Sequence, residues 1–196
     1  MDDAIAELRL RDWPMRPVDL DAFSGANFAE KLAHMLVAAE SEGIECIAAC
    51  GGDGTQHALA RAMYLHEGDL PAFAPLPYGT GNDLCRSLDR LEMEPLKQLE
   101  SAMLDRPRAI DLLVTHGVHD RVDVILNTAT WGSAAKATGQ ADGETKAQLG
   151  WLAYVAQGLS NTQIEPFGAR LTLDGHCIHE GDTLFFSLSN GRTTGG

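Results

Sequence analysis

The stretch Ile44-Glu45-Cys46-Ile47-Ala48-Ala49-Cys50, running into Gly51-Gly52-Asp53-Gly54-Thr55, decides the fold. Seven mostly apolar residues with no helical period fit a buried strand. The glycine loop ends it, and Thr55 opens a helix carrying Leu59, Ala62, Met63 and Leu65, which Gly68 ends. Upstream, Asn27-Phe28-Ala29-Glu30 reads as a capping box. Phe28, Leu32, Met35, Leu36 and Ala39 follow at helical spacing, and Gly43 stops that helix. Downstream, Pro71 to Leu76 reads as a second buried strand, then a glycine loop at 79–81, a helix from Asp83 and another from Pro95. Alternation of this kind predicts a parallel sheet with helices on both faces.

Past residue 106 the period changes. Ile110, Leu112 and Val114 alternate, as do Val122, Val124 and Leu126, so both runs predict half-buried antiparallel strands. Leu171 and Leu173 precede Asp174-Gly175, a hairpin turn, with Thr183 to Leu188 as the returning partner or a neighbouring strand. Leu149, Leu152, Ala153, Ala156 and Leu159 place one helix at 146–159. The division expected is 1–106 as an α/β domain and 107–196 as a mostly β domain.

Composition narrows the function. The 196 residues include 44 % hydrophobic and 22 % charged, too apolar for disorder. Acids outnumber bases 28 to 15, a net −13, and residues 1–105 alone carry 19 acids and 8 bases. Nucleic-acid binding needs the opposite sign, and unaided adhesion to an anionic membrane is disfavoured. No run of about 18 apolar residues spans a membrane, and Met1 to Leu10 lacks the order of a signal peptide. The cysteines, Cys46, Cys50, Cys85 and Cys177, lack C-x-x-C spacing and read as buried free thiols in a cytoplasmic protein.

The two glycine loops carry the chemistry. A loop between a strand and a helix N-terminus offers backbone N–H groups and a helix dipole to an anion, and glycine permits close approach. Thr55 can cap the helix or donate to phosphate. The loop lacks the Lys of a Walker A motif, and Asp53 would repel phosphate unless Mg²⁺ bridges them or Asp53 orients a hydroxyl. A tight strand–helix turn is the plain alternative. Pro77-Tyr78-Gly79-Thr80-Gly81-Asn82-Asp83 repeats the arrangement, with Asn82 and Asp83 as caps. Two such loops at neighbouring strand ends converge on one crevice.

Together, GGDGT at 51–55 and LPYGTGNDLCRSL at 76–88 resemble the catalytic domain of diacylglycerol kinases, bacterial soluble lipid kinases and sphingosine kinases. Leu126-Asn127-Thr128-Ala129 with Trp131-Gly132, Leu149 to Tyr154, Asp174-Gly175 and Asn190 to Gly196 resemble later segments of the bacterial branch. The resemblance covers about 20–196. It implies an α/β nucleotide domain like that of phosphofructokinase and NAD kinases, followed by a β-sandwich-type second domain. It implies ATP and Mg²⁺ as cofactors and transfer of the γ-phosphate to a lipid hydroxyl at a membrane surface: diacylglycerol, phosphatidylglycerol, a sphingoid base or a related lipid alcohol. Carried over, the nucleotide site is Gly51, Gly52, Asp53, Gly54, Thr55, Gln56, His57, Gly79, Thr80 and Asn82, with Asp53 the one catalytic candidate. Asp21, Phe23 and Ser24 stand where the family often has a nucleotide-contacting Thr.

The family's first strand with its Asn-Pro-x-Ser-Gly loop, and its later Asp-Gly motif, general base and closing strands, have no match here. The expectation is an incomplete two-domain enzyme whose base lies beyond Gly196, with no assignable metal ligands. Unpaired strand edges would favour self-association, a homodimer being its simplest form. Arg86 and Arg90, at i and i+4, can meet an anion or pair with Asp83 and Glu94. His176 and His179 read as surface strand residues, Trp131, Trp151 and Tyr154 as packing. The competing functions are an NAD kinase relative, which also has a GGDG loop, and a nucleotide-binding module without catalysis.

Overall fold

The computed structural model describes residues 1–19, 28–117, 122–132 and 166–193. The chain divides into two compact units, Met1–Leu126 and Asn127–Gly196. In the first, α1 (Asp2–Leu10), α2 (Phe28–Ser41), β1 (Cys46–Gly51), α3 (Asp53–Leu65), β2 (Ala72–Pro77), α4 (Asp83–Ser87) and α5 (Pro95–Leu104) precede β3 (Leu113–His116) and β4 (Val122–Ile125). Strands β1 and β2 are parallel, with Ile47 opposite Phe73 and Cys50 opposite Leu76.

Strand alternation sends side chains to two faces. Ala49, with Ile47 and Phe73, packs on Leu36 of α2 and Leu59 of α3. Leu76 packs on Ala4 and Leu8 of α1 and Leu99 of α5. Helices therefore cover both faces, as the alternation requires. The stop of α2 is a Schellman ending: Gly43 sits at φ +66°, its N–H donates to Glu40 O, and Ile44 N–H donates to Ala39 O.

The parallel sheet has only two strands among the described residues. Ala48 and Cys50 are consequently exposed on an apolar strand. The cysteines are free, as expected, but the expected burial holds only for Cys85; Cys46 is half-buried, and Cys50 and Cys177 are exposed. The packing boundary also falls later than residue 106. The β3–β4 pair belongs to the first unit because Leu126, just after β4, packs on Ala60 of α3 and Leu84 of α4.

The second unit holds β5 (Thr128–Gly132), β6 (Phe167–Leu173), β7 (His176–Thr183) and β8 (Phe185–Ser189). Asp174 and Gly175, at φ +49° and +80°, form the tight turn, so the chain returns at once and β7 pairs with β6. Residues 185–189 take the neighbouring-strand role and pair with β5. Trp131 stacks on its register partner Phe186, centroids 4.9 Å apart. The helix expected at 146–159, with Trp151 and Tyr154, lies outside the described residues, as do Asn27, Asp21, Phe23, Ser24 and 194–196. Among the described residues no helix is long and apolar enough to cross a membrane.

Candidate functional site

Both glycine loops leave the same ends of paired parallel strands, so the fold places them side by side. The helix α3 begins at Asp53, two residues earlier than the cap reading of Thr55. Its N-cap is Gly52, in extended conformation, and no side chain caps it. An uncapped N-terminus carries the positive end of the helix dipole and unsatisfied N–H groups, the elements of an anion site. A Cβ on Gly54 would meet nothing within 4 Å, so that residue is open to an approaching group.

The loops touch through their backbones. A Cβ on Gly79 would lie 2.2 Å from Gly52 Cα, and one on Gly52 would lie 3.1 Å from Gly79 Cα. Glycine is required at Gly79 for this approach, independently of its dihedral angles. Tyr78 N–H donates to Gly51 O at 3.2 Å and bridges the strand ends.

Side chains tie the second loop down. Asn82 is the N-cap residue of α4, as expected, but it adopts the left-handed conformation at φ +53°, makes no side-chain bond to the helix and closes its own loop instead. Its Oδ1 accepts from Gly79 N–H at 2.8 Å, and its Nδ2 donates to Gly79 O at 2.6 Å. Asp53, from the first loop, accepts the Asp83 N–H on Oδ1 at 2.8 Å. An acid of the first glycine loop thus caps the helix that follows the second. Asp53 Oδ2 and Asp83 Oδ2 both flank Gly81, 2.8 and 3.8 Å from where its Cβ would stand.

Of the residues expected at the nucleotide, Gly51, Gly52, Asp53, Gly54 and Thr55 with Gly79, Thr80 and Asn82 come together in these two loops. Thr80 is exposed, and Thr55 is partly buried against Gly51. Gln56 points the other way and is fully buried. His57 turns toward β4, its Nε2 3.8 Å from Asp123 Oδ1, which also meets Arg61 Nε at 3.2 Å. That cluster had no sequence signal, because Asp123 lies on a strand far along the chain. His57 and Arg61 also line a 550 Å³ groove between α2 and α3, with Phe28, Leu32, Val37 and Leu65 among its apolar walls.

Arg90 pairs with neither Glu94 nor a free surface. Its Nη1 donates to Ser101 Oγ at 2.9 Å and its Nη2 to Gln98 O at 3.3 Å, which fastens it to α5. Arg86 reaches Gly81 O at 3.5 Å. Cys85 lies under the site, and burial pushes its thiol pKa up, with the Gln56 hydrogen bond pulling the other way. Among the described residues no three His, Cys, Asp or Glu side chains form a metal cluster, and His176 and His179 lie along β7.

Comparison with known proteins fits this geometry. A "Probable lipid kinase YegS-like" protein of Xanthomonas euvesicatoria is 34 % identical over 165 residues, covering 81 % of this chain and 52 % of that protein. One of the same description from Pseudomonas syringae is 34 % identical and covers 99 % of this chain and 59 % of its own length. The chain therefore spans about half the length of the curated relatives it matches. The crystal structure of a diacylglycerol kinase from Bacillus anthracis superposes with a TM-score of 0.61 at 21 % identity, over 84 % of this chain and 51 % of that one, a likeness of fold. The sequence pattern of the diacylglycerol kinase catalytic domain matches residues 8–115. That match takes in both glycine loops and more than half the chain, and the chain belongs to the diacylglycerol kinase catalytic domain family.

Proposed function

We propose that this chain carries the nucleotide-binding part of an ATP-dependent lipid kinase that moves the γ-phosphate to a lipid hydroxyl of the diacylglycerol type. The observation that carries the reading is the uncapped N-terminus of α3, with a second glycine loop pressed against it backbone to backbone. Phosphoryl transfer depends on positioning and charge neutralisation more than on covalent chemistry. The first-turn N–H groups of α3 would hold phosphate oxygens, with Gly52, Gly54 and Thr55 in the first loop and Gly79, Thr80 and Asn82 shaping the second.

The residues present fit Mg²⁺ arriving with the nucleotide. Asp53 and Asp83 supply two carboxylates beside Gly81, without a third ligand of the kind a dedicated cage would need. When bound, Mg²⁺ would neutralise phosphate charge, which this Lys-free loop does not. Asp53 Oδ1 is engaged by the Asp83 amide, so its proposed part is to join the loops and offer Oδ2 to the cation. The same reading places the protein in the cytoplasm, working peripherally at a membrane surface, and gives the β-rich part from 107 onward to the acceptor lipid.

Radiolabelled ATP with Mg²⁺, offered with diacylglycerol, phosphatidylglycerol and sphingoid-base vesicles and separately with NAD, tests this. Saturable Mg²⁺-dependent ATP binding and label on a lipid are expected. Label on NAD would replace the reading with an NAD kinase, and absence of ATP binding would remove it.

A further inference from the structure

The buried Gln56 has a geometry that packing alone does not explain. It sits in the first turn and a half of α3, directly below the two glycine loops, with no exposed surface. Its Nε2 is 3.3 Å from Gly51 O, 3.4 Å from Leu76 O and 3.4 Å from Cys85 Sγ. Two carbonyl neighbours determine which amide atom faces them, because the side-chain oxygen there would be repelled.

Those carbonyls stand at the ends of the two parallel strands: Gly51 closes β1, and Leu76 is the penultimate residue of β2. Tyr78 N–H reaches the same two acceptors, Gly51 O at 3.2 Å and Leu76 O at 3.0 Å. Gln56 and the Tyr78 amide therefore staple the strand ends together from two directions. The third partner, Cys85, lies on α4, the helix that the second loop feeds.

This arrangement has a cost. Gln56 Oε1 is buried with no hydrogen-bond partner, and each such group opposes folding. A leucine of similar volume would fill the space without burying a polar atom. A buried polar side chain left half satisfied is informative where it also makes contacts an apolar one could not.

We infer that Gln56 is a positioning residue: it sets the spacing between the two glycine loops by binding Gly51 O and Leu76 O at the ends of the two strands, and so tunes nucleotide affinity without touching the nucleotide. The inference rests on the nucleotide reading above. It replaces direct contact, implied for Gln56 by family resemblance, with action through Gly51 and Leu76.

The test uses the full chain, as wild type, Gln56→Met and Gln56→Glu. ATP affinity with Mg²⁺ is measured by calorimetry between about pH 5.5 and 8.5, a range that spans titration of a buried carboxyl. Amide exchange is followed along residues 46–83. Gln56→Met removes the donor at similar volume, and ATP binding is expected to weaken about tenfold, the scale of one or two lost hydrogen bonds. The pH profile should keep the wild-type shape. In Gln56→Glu the protonated carboxyl can donate once, whereas the ionised one repels both carbonyls. Affinity near wild type at low pH, falling as pH rises, is the expected signature. The Tyr78 and Asp83 amides should exchange faster in Gln56→Met than those of Ile47 and Phe73.

Weaker melting of Gln56→Met with unchanged ATP affinity would overturn the inference and leave Gln56 a packing residue. A flat pH profile in Gln56→Glu would do the same. If Gln56→Met does not fold, the low-pH form of Gln56→Glu carries the comparison. If wild type binds no ATP, the nucleotide reading falls. Exchange then decides Gln56 alone: acceleration confined to 51–53 and 78–83 supports its hold on the loops, and even acceleration through β1, β2 and α3 refutes it.

Discussion

The described residues of the two units differ in how far their side chains are buried. Every buried apolar side chain among the described residues lies between Ala4 and Leu126, most of them in three clusters on the faces of β1, β2 and α3. In the described part of 127–193 the strands pair, yet Leu173, Ile178, Leu184, Phe185 and Leu188 remain largely exposed. Backbone pairing gives β5–β8 and β6–β7 their register, while the buried side chains among the described residues all lie in the first unit. An anion site needs fixed N–H groups, and the glycine loops emerge from the unit where those buried side chains lie.

A Cβ at equivalent cost in sequence should have unequal effects in the two regions. Gly79→Ala drives a Cβ to 2.2 Å from Gly52 Cα, backbone against backbone, where no side chain can yield. It should destabilise by about 3 kcal/mol, the upper part of the overpacking range, and abolish ATP binding. Gly168→Ala, in β6 with nothing within 4 Å, should change stability by less than about 0.5 kcal/mol. Urea denaturation of both compares them; equal effects would remove the claim that the loops meet through their backbones. Of equal size in stability, but without a direct effect on the loops, is Leu36→Ala, fully buried between α2 and α3, for which about 3 kcal/mol is the central cost of such truncations. Ile178→Ala, 63 % exposed, should shift the urea midpoint barely at all. A large loss at Ile178 would mean that the second unit has a core involving that face.

The first unit was legible because its signals are local. Leu32, Leu36 and Ala39 recur at helical spacing, and Gly43 marks the stop by a φ that few other residues adopt. The two glycine loops were legible as a pair, since each lies between a strand and a helix. What those loops do to each other was not. Asn82 reads as a cap in sequence but spends both amide atoms on Gly79. Asp53 reads as a misplaced charge but binds the Asp83 amide thirty residues away. Gln56 follows GGDGT and reads as a contact residue, while helix geometry turns it inward under Gly51 and Leu76. Periodicity reports which face of an element is buried, never which distant atoms that face will meet. The return strand was legible only in part: His176 and His179 read as surface strand residues, but β7 is polar and exposed along most of its length, so alternation did not mark its span or its pairing.

Thiol chemistry gives the smallest and most separable contrast. Cys85 lies buried in the first unit, Cys177 exposed in the second. Burial raises the Cys85 pKa from the ordinary 9.0, with the Asp53 carboxylate adding to it and the Gln56 amide opposing. A folded pKa above the unfolded one means that the native state holds its proton more tightly. The stabilising contribution is then complete below about pH 9, the unfolded value, and is lost as pH rises through the folded one. One proton limits the slope to about 1.4 kcal/mol per pH unit. Stability measured by urea should therefore decline on the alkaline side in wild type, and decline less steeply in Cys85→Ala after its lower starting stability is subtracted. Alkylation gives the independent readout: iodoacetamide should modify Cys177 in the native protein and reach Cys85 only at the rate of opening of the first unit. Equal labelling of the two thiols would show that the packing under the glycine loops is no firmer than the strand ribbons beyond it.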